Sequence, residues 1–323
     1  MRYFWAVFTA FFMLSGAANL FAGAQPQPFL PESCDPVLQK GLEDCLTSLR
    51  LNEAVQDRNL SVVLVDITDP DCPRLAYANP NHMMYAASLP KIAILLGAFE
   101  RIGRGEMVLD AATLEKLTQM IRRSSNDAAT EMLNRVGQDF LLEVLQSPRY
   151  RLYDPDTNGG LWVGKEYSKS SARRRDPLHN LSHGATALQV ARFYYLLETG
   201  QLVSPEHSRT MKEILGKPEI HHKFVRGLKT LYPDSTIYRK SGTWQDFHSD
   251  SALIEHEGHR YIAVALSYNP EGGRWMSELI VAMDNLICRP GQTAPRGPSP
   301  AFPASETRRY PSGHPRTSSG SSE

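Results

Sequence analysis

This sequence is short of charge of one sign: 35 Lys+Arg stand against 35 Asp+Glu, for a formal net charge of zero. Without a basic field there is no long-range pull toward nucleic acid or an anionic membrane, and neither is expected as a partner. Cysteine is scarce, at four residues (Cys34, Cys45, Cys72 and Cys288). None lies in a CxxC, so a cysteine-based zinc module is not expected. Internal repeats are absent, which excludes solenoid and propeller arrays. Beyond residue 24 no apolar run is long enough to span a bilayer. What remains is a 323-residue chain of ordinary apolar content, with room for one large domain and a local site.

The N-terminus carries an address. Met1-Arg2 supplies a positive start, Tyr3 to Leu14 is almost wholly apolar, and small residues follow to Ala22-Gly23-Ala24. This is the pattern of a cleaved secretory signal over 1–24, with Ser15 and Asn19 weakening any spanning helix. The mature chain is therefore expected in the periplasm or outside the cell, with no membrane span. An exported chain with an even cysteine count predicts at least one structural disulfide, with three connectivities open. At the other end, residues 289–323 are rich in Pro, Ser, Gly and Arg and cannot bury enough apolar surface to offset their ordering entropy. A disordered tail is expected there, which leaves 25–288 as the folded domain.

Within that domain the pattern is α+β. Leu38, Leu42, Leu46 and Leu49 predict a helix over 35–56, and Ser61–Ile67 and Leu75–Ala78 read as strands across an Asp-Pro-rich turn. Helices follow over Pro90–Ile102, from Asp110 to Arg123, from Asn126 to Val136, over Ala185–Glu198, and from Ser204 to Gly216. Strands come next near Thr236–Trp244, Ser251–Glu255 and Tyr261–Tyr268, the last two joined at Glu257-Gly258, before a closing helix over Arg274–Ile287. Short connections predict an antiparallel sheet of about five strands, covered by the terminal helices. An all-helical lobe is inserted between strands 2 and 3, with a cleft between the lobes. Tyr150–Gly184 has little periodicity and reads as a long loop, of the kind that is either functional or disordered.

Three short motifs carry possible chemistry. Ser88-Leu89-Pro90-Lys91 opens a buried helix; spacing i to i+3 puts the hydroxyl beside the amine, and a serine is a poor nucleophile unless a neighbour takes its proton. Burial can leave a lysine neutral enough to do so. Ser124-Ser125-Asn126 lies where one helix ends and the next begins, and offers a hydroxyl to relay a proton and an amide to hold a carbonyl. Lys240-Ser241-Gly242-Thr243 sits on a strand, with Lys240 and Gly242 on one face and Ser241 and Thr243 on the other. Each motif alone also fits a helix cap or an ordinary strand.

Their order and context resemble the penicillin-recognising serine enzymes, the superfamily of class A β-lactamases and penicillin-binding proteins. The resemblance covers nearly everything from Asp35 to Cys288, including Ala128-Ala129 and the closing strands and helix. It implies Ser88 as acylated nucleophile and Lys91 as its base or part of a proton network. Ser124 would pass a proton to the leaving nitrogen, and Lys240 would set the charge around it. The backbone N–H groups of Ser88 and Thr243 would form an oxyanion hole; Asn126, Ser241 and Thr243 would hold substrate, with Gly242 allowing close approach. The implied function is a monomeric serine β-lactamase or β-lactamase-like hydrolase, with no cofactor and no metal. Its partner would be a small-molecule β-lactam or an acyl-D-Ala-like peptide. A DD-peptidase or esterase, or a penicillin-binding sensor that does not turn over, would use the same machinery.

Four departures stand out. Ser125 replaces the usual middle Asp, the Lys91–Ser124 interval is short, no Arg lies on Ser251–Glu255, and the Glu-x-x-Leu-Asn motif of the deacylating base is missing. The nearest match to that motif is Asp176-Pro177-Leu178-His179-Asn180, which makes Asp176 the candidate base and Glu166 its competitor, with the absence of any dedicated base also open. Of the histidines, His256 and His259 have HxxH spacing without a third ligand, His221-His222 is a bare pair, and His179 and His183 fit structural hydrogen bonding in the long loop.

Overall fold

Leu60–Asp66 is buried at every position and forms β1, the strand with apolar side chains on both faces. The computed structural model describes Leu30 and residues 34–168, 171–172 and 174–289. The expected signal segment, the expected tail beyond Arg289, and Lys169, Ser170 and Arg173 lie outside the described residues. Two helices, α1 (Pro36–Ser48) and α2 (Asn52–Gln56), precede β1, and β2 (Arg74–Ala78) and β3 (Met84–Tyr85) follow it. The helical insertion begins with α3 (Lys91–Gly103), α4 (Ala111–Arg122), α5 (Asn126–Val136) and α6 (Gln138–Gln146). Short strands β4 (Tyr153–Asp154), β5 (Gly159–Gly160), β6 (Trp162–Val163) and β7 (His183–Ala185) come next, then α7 (Ala187–Glu198), α8 (Pro205–Leu215) and α9 (Phe224–Leu231). The chain closes with β8 (Thr236–Trp244), β9 (Phe247–His256), β10 (His259–Tyr268) and α10 (Gly272–Cys288).

The main sheet has five strands in the order β2-β1-β10-β9-β8, with antiparallel pairing throughout. Side chains alternate along β1. Val62 and Leu64 join Leu42, Leu46, Ile280 and Met283 beneath α1 and α10, whereas Val63 and Val65 face Tyr194, Leu197 and the helical lobe. The α+β class, the terminal helices on one face and the helical insertion between the second and third sheet strands are as the sequence pattern predicts. β8 is an edge strand, so alternate backbone N–H and C=O groups along it have no ladder partner.

Several elements differ from expectation for identifiable reasons. The helix expected over 35–56 breaks at Arg50, which is left-handed at φ 59°, while the Leu51 N–H closes on Leu46 O at 2.9 Å. This reversal buries both Leu46 and Leu51. β9 begins at Phe247 rather than Ser251, because Ser249 and Asp250 are buried and hydrogen-bonded despite their polarity. The Glu257-Gly258 turn has φ of 48° and 80°, the pair of positive values a two-residue hairpin needs. α6 and α9 are additional helices; Gly137, at φ 84°, separates α6 from α5. Among the described residues, 150–184 hold only the short strands β4 to β6 and the start of β7, as their weak periodicity implies.

The disulfide expectation is not met: all four cysteines are free thiols. α1 and α10 do pack together, but their sulfurs turn to different groups. Cys45 Sγ faces Ala282 O at 3.8 Å, whereas Cys288 Sγ lies beside His256. Cys34 and Cys72 are exposed. Among the described residues, no helix is long and apolar enough to cross a membrane.

Candidate active site

The site grows from three chain reversals that bring the motifs together. Before α3, Ala87 takes a left-handed conformation at φ 49°, and tight turns join Leu89 N to Ala86 O (3.0 Å) and Lys91 N to Ser88 O (3.3 Å). Ser88 therefore sits in the turn just ahead of α3, one turn before Lys91. Between α4 and α5, Ser124 is also left-handed, at φ 57°, and Ser125 Oγ caps α5 by accepting from Ala128 N at 3.2 Å. With capping as its local work, Ser125 stands where the resemblance leads one to expect Asp. The third element is β8, pressed against the Ser88 turn. A Cβ on Gly242 would stand 2.2 Å from Ala86 O and 2.7 Å from Ser88 N, so only glycine permits this approach. Ser249 Oγ secures the contact from β9, donating to Ala86 O at 2.9 Å.

Beneath the cleft, Lys91 is fully buried. Its Nζ donates to Ser124 O at 2.6 Å and to Asn126 Oδ1 at 2.8 Å, and lies 3.4 Å from Ser124 Oγ. Lys240 Nζ reaches the same hydroxyl at 2.9 Å and Ser241 O at 2.6 Å. Ser124 Oγ thus lies between two amines. A hydroxyl has one proton to give and lone pairs to accept with, so it can link a charged amine to a neutral one. Burial lowers Lys91 to about 7. Burial also pulls Lys240 well below the ordinary lysine range, reinforced by the charges of Lys91 and Arg239. Neither amine has a carboxylate within ion-pair distance among the described residues. Two N–H donors of Lys91 meet two carbonyl-type acceptors, which satisfies a neutral amine and leaves its lone pair free to take a proton.

Behind β8 lies a residue that sequence reasoning missed. Lys223 is 3 % exposed, and its Nζ donates to Gly242 O (2.6 Å), Thr243 Oγ1 (2.8 Å) and Ser249 O (3.1 Å). Burial lowers it to about 7. Its only sequence signal is proximity to His221-His222. Arg239 makes a buried two-point pair with Asp250 at 2.7 and 2.8 Å and also holds Ile220 O and His222 O, which fixes the entry to α9 against β8.

A cleft of about 930 Å³ opens above these groups, lined by Ser88, Asn126, Asp127, Tyr167, His183, Thr243 and Trp244 among others. Asp176 does not line it. The Tyr153 hydroxyl donates to Asp176 Oδ1, His179 N donates to Oδ2 at 2.5 Å, and the carboxylate is 2 % exposed. Both oxygens are thus engaged within the loop itself. Glu166 is half-buried and also does not line the cleft.

The loop instead presents His183 and Tyr167, whose rings stack at 4.2 Å, with Lys91 Nζ over the tyrosine ring at 4.6 Å. Burial lowers His183 to about 4, so it is neutral at pH 7. Its Nε2 lies 3.2 Å from Lys165 O, which can only accept, so Nε2 carries the hydrogen and Nδ1 the lone pair. The two histidine pairs singled out in the sequence do not converge on one site. His259 faces Thr68 at 3.5 Å, His256 faces Asp284, His221 faces Pro218 O, and His222 lies beside Arg239.

Comparison with known proteins agrees with this architecture. A model of the β-lactamase enzyme family matches residues 110–283, more than half of the chain. A search of curated protein sequences returns no match. Among solved structures, an ancestral class A β-lactamase superposes with a TM-score of 0.60 at 17% identity, covering 76% of this chain and 100% of that one. A β-lactamase from Sphaerobacter thermophilus gives 0.57 at 18% identity, covering 75% and 95%. A mutant of PBP-A, solved as an acyl-enzyme complex with penicillin G, gives 0.58 at 15% identity, covering 80% and 97%. At such identities the structural likeness establishes the fold, and the matched sequence model establishes descent: the chain belongs to the β-lactamase enzyme family.

Proposed function

We propose that the protein is a serine hydrolase that opens β-lactams through an acyl-enzyme at Ser88. The observation that carries this reading is Ser124 Oγ, held 2.9 Å from Lys240 Nζ and 3.4 Å from Lys91 Nζ. In this scheme neutral Lys91 takes the Ser88 proton, and Ser88 Oγ attacks the lactam carbonyl. The oxyanion that forms is stabilised by the backbone N–H groups of Ser88 and Thr243, the latter on an edge strand. Ser124 gives its proton to the leaving nitrogen and is resupplied through the two lysines. Asn126 and Ser241 hold the substrate. Lys223, reaching Gly242 O and Thr243 Oγ1 from behind, holds in place the stretch of β8 that carries the Thr243 N–H. The signal expected at 1–24 would place this chemistry in the periplasm or outside the cell, where the protein acts as a monomer.

Asp176 is not carried forward as the base for hydrolysis of the ester, because both its oxygens are already engaged. That favours slow deacylation, and with it a second reading as a penicillin-binding sensor or slow peptidase. Rapid mixing with a chromogenic cephalosporin, beside a D-Ala-D-Ala peptide and a simple ester, separates these readings. The expected result is a burst of one cephalosporin per active site followed by slow steady turnover. A burst with no turnover assigns the sensor role. Absence of both burst and turnover on all three substrates removes the reading altogether.

A further inference from the structure

We propose that His256, Asp284 and Cys288 form a binding site for a zinc-class divalent cation, separate from the Ser88 cleft. β9 runs from Phe247 at the cleft to His256, which places the cluster about 30 Å away along the strand at ~3.4 Å per residue. Three different ligand atoms converge there. His256 Nδ1 lies 2.9 Å from Asp284 Oδ1 and 3.7 Å from Cys288 Sγ, and Sγ lies 3.8 Å from Asp284 Oδ1. A tetrahedral zinc with ordinary Zn–N, Zn–O and Zn–S bonds would hold such atoms about 3.3–3.6 Å apart. The three separations bracket that span to within about half an ångström, so small side-chain shifts suffice.

Both Asp284 oxygens, at 2.9 and 3.0 Å, face His256 Nδ1, and the Cys288 thiol, which can also donate to His256 O at 3.7 Å, closes the third side. The surroundings fit a ligand set. Tyr261 OH donates to Asp284 Oδ1 at 2.7 Å and orients the carboxylate. Glu257 Oε1 stands 3.7 Å from the other ring nitrogen of His256 and is itself held by Arg289 at 2.9 Å. At that separation the carboxylate adds negative charge behind the imidazole, which favours a bound cation. Asp284 is fully buried and Cys288 half-buried, so a cation would enter from the cysteine side. His256 also borders a surface cavity of about 520 Å³ that carries Asp234, Glu255 and Glu257. Binding would release the Cys288 thiol proton to solvent as the sulfur–metal bond forms, and the cation would shed waters. Thiolate and carboxylate then balance its two charges, and one water keeps the fourth position. Such an ion would tie the last turn of α10 to the β9–β10 turn, next to the point where residue 290 begins.

The test uses the full chain, reduced and metal-free, titrated with Co²⁺. One equivalent should produce a thiolate-to-cobalt charge-transfer band that Zn²⁺ displaces. The band should vanish in Cys288→Ser and persist in Cys45→Ser. In parallel, Zn²⁺ should protect Cys288 of the unaltered chain from alkylation, read by peptide mass, while exposed Cys34 and Cys72 remain reactive. No charge-transfer band, a band that survives Cys288→Ser, or alkylation of Cys288 unaffected by Zn²⁺ would overturn the assignment. The alkylation readout needs no variant, so a folding defect cannot account for it.

Discussion

Lys91 has an ordinary side chain in an expensive place. It is fully buried without a carboxylate partner, and burial lowers it to about 7. The base is the deprotonated form, so acylation should fall about tenfold per pH unit well below pH 7 and level off above it. Stopped-flow acylation with a chromogenic cephalosporin measures this directly, and a flat profile between roughly pH 5 and 9 would contradict the role given to Lys91. Stability should respond in the same region. The folded chain binds fewer protons than the unfolded chain between about 7 and the ordinary lysine value of 10.5, so stability should rise with pH across that window. Lys91→Met removes the buried amine. It leaves Ser124 O and Asn126 Oδ1 without their donor, and should abolish acylation while urea melts show the chain still folded.

Two elements position this chemistry, β8 and the 150–184 loop. Gly242 lets β8 lie against the Ser88 turn, where a Cβ would meet Ala86 O at 2.2 Å. Gly242→Ala must push the strand away, and a displacement near 1 Å at the reacting groups should cost acylation about 100-fold. Near-normal acylation in that variant would mean that the close approach is incidental. In the loop, Asp176→Asn breaks a carboxylate that two donors share. It should lower stability by about 1–3 kcal/mol without slowing hydrolysis of the Ser88 ester, as thermal melts and single-turnover deacylation would show. Accumulation of adduct in this variant would return Asp176 to the chemistry.

These elements also mark how far the sequence could be read. The SxxK, SxN and KSGT segments are legible because each coincides with an element boundary that capping, turn and strand signals already define, and the structure brings Lys91, Ser124 and Lys240 into contact. Lys223 is not legible, because a buried lysine between two short elements has no periodicity to announce it. The start of β9 is hidden for a related reason: Ser249 and Asp250 read as loop residues, yet side-chain partners offset their burial. HxxH spacing pointed to His259, whereas His256 turns to Asp284 and Cys288 on a helix far along the chain. Cysteine parity predicted disulfides, and side-chain direction on α1 and α10 decides otherwise.

At the scale of the whole molecule, a net charge of zero conceals a buried cluster of basic side chains whose amines burial drives toward the neutral form. Lys91, Lys223, Arg239 and Lys240 gather beneath one wall of the cleft, where Asp250 pairs with Arg239. The fold carries this strain by covering both faces of the sheet, with terminal helices on one side and the helical lobe on the other. The cleft lies where the lobes meet, and Ser88 is the hydroxyl the account requires to become covalently modified there. Intact-mass measurement after exposure to benzylpenicillin tests this most directly. The unaltered chain should gain the mass of one ring-opened penicillin, mapped to the peptide containing Ser88, and Ser88→Ala, shown folded by its melt, should gain none. Equal labelling of Ser88→Ala, or an adduct mapped to any other residue, would contradict the account.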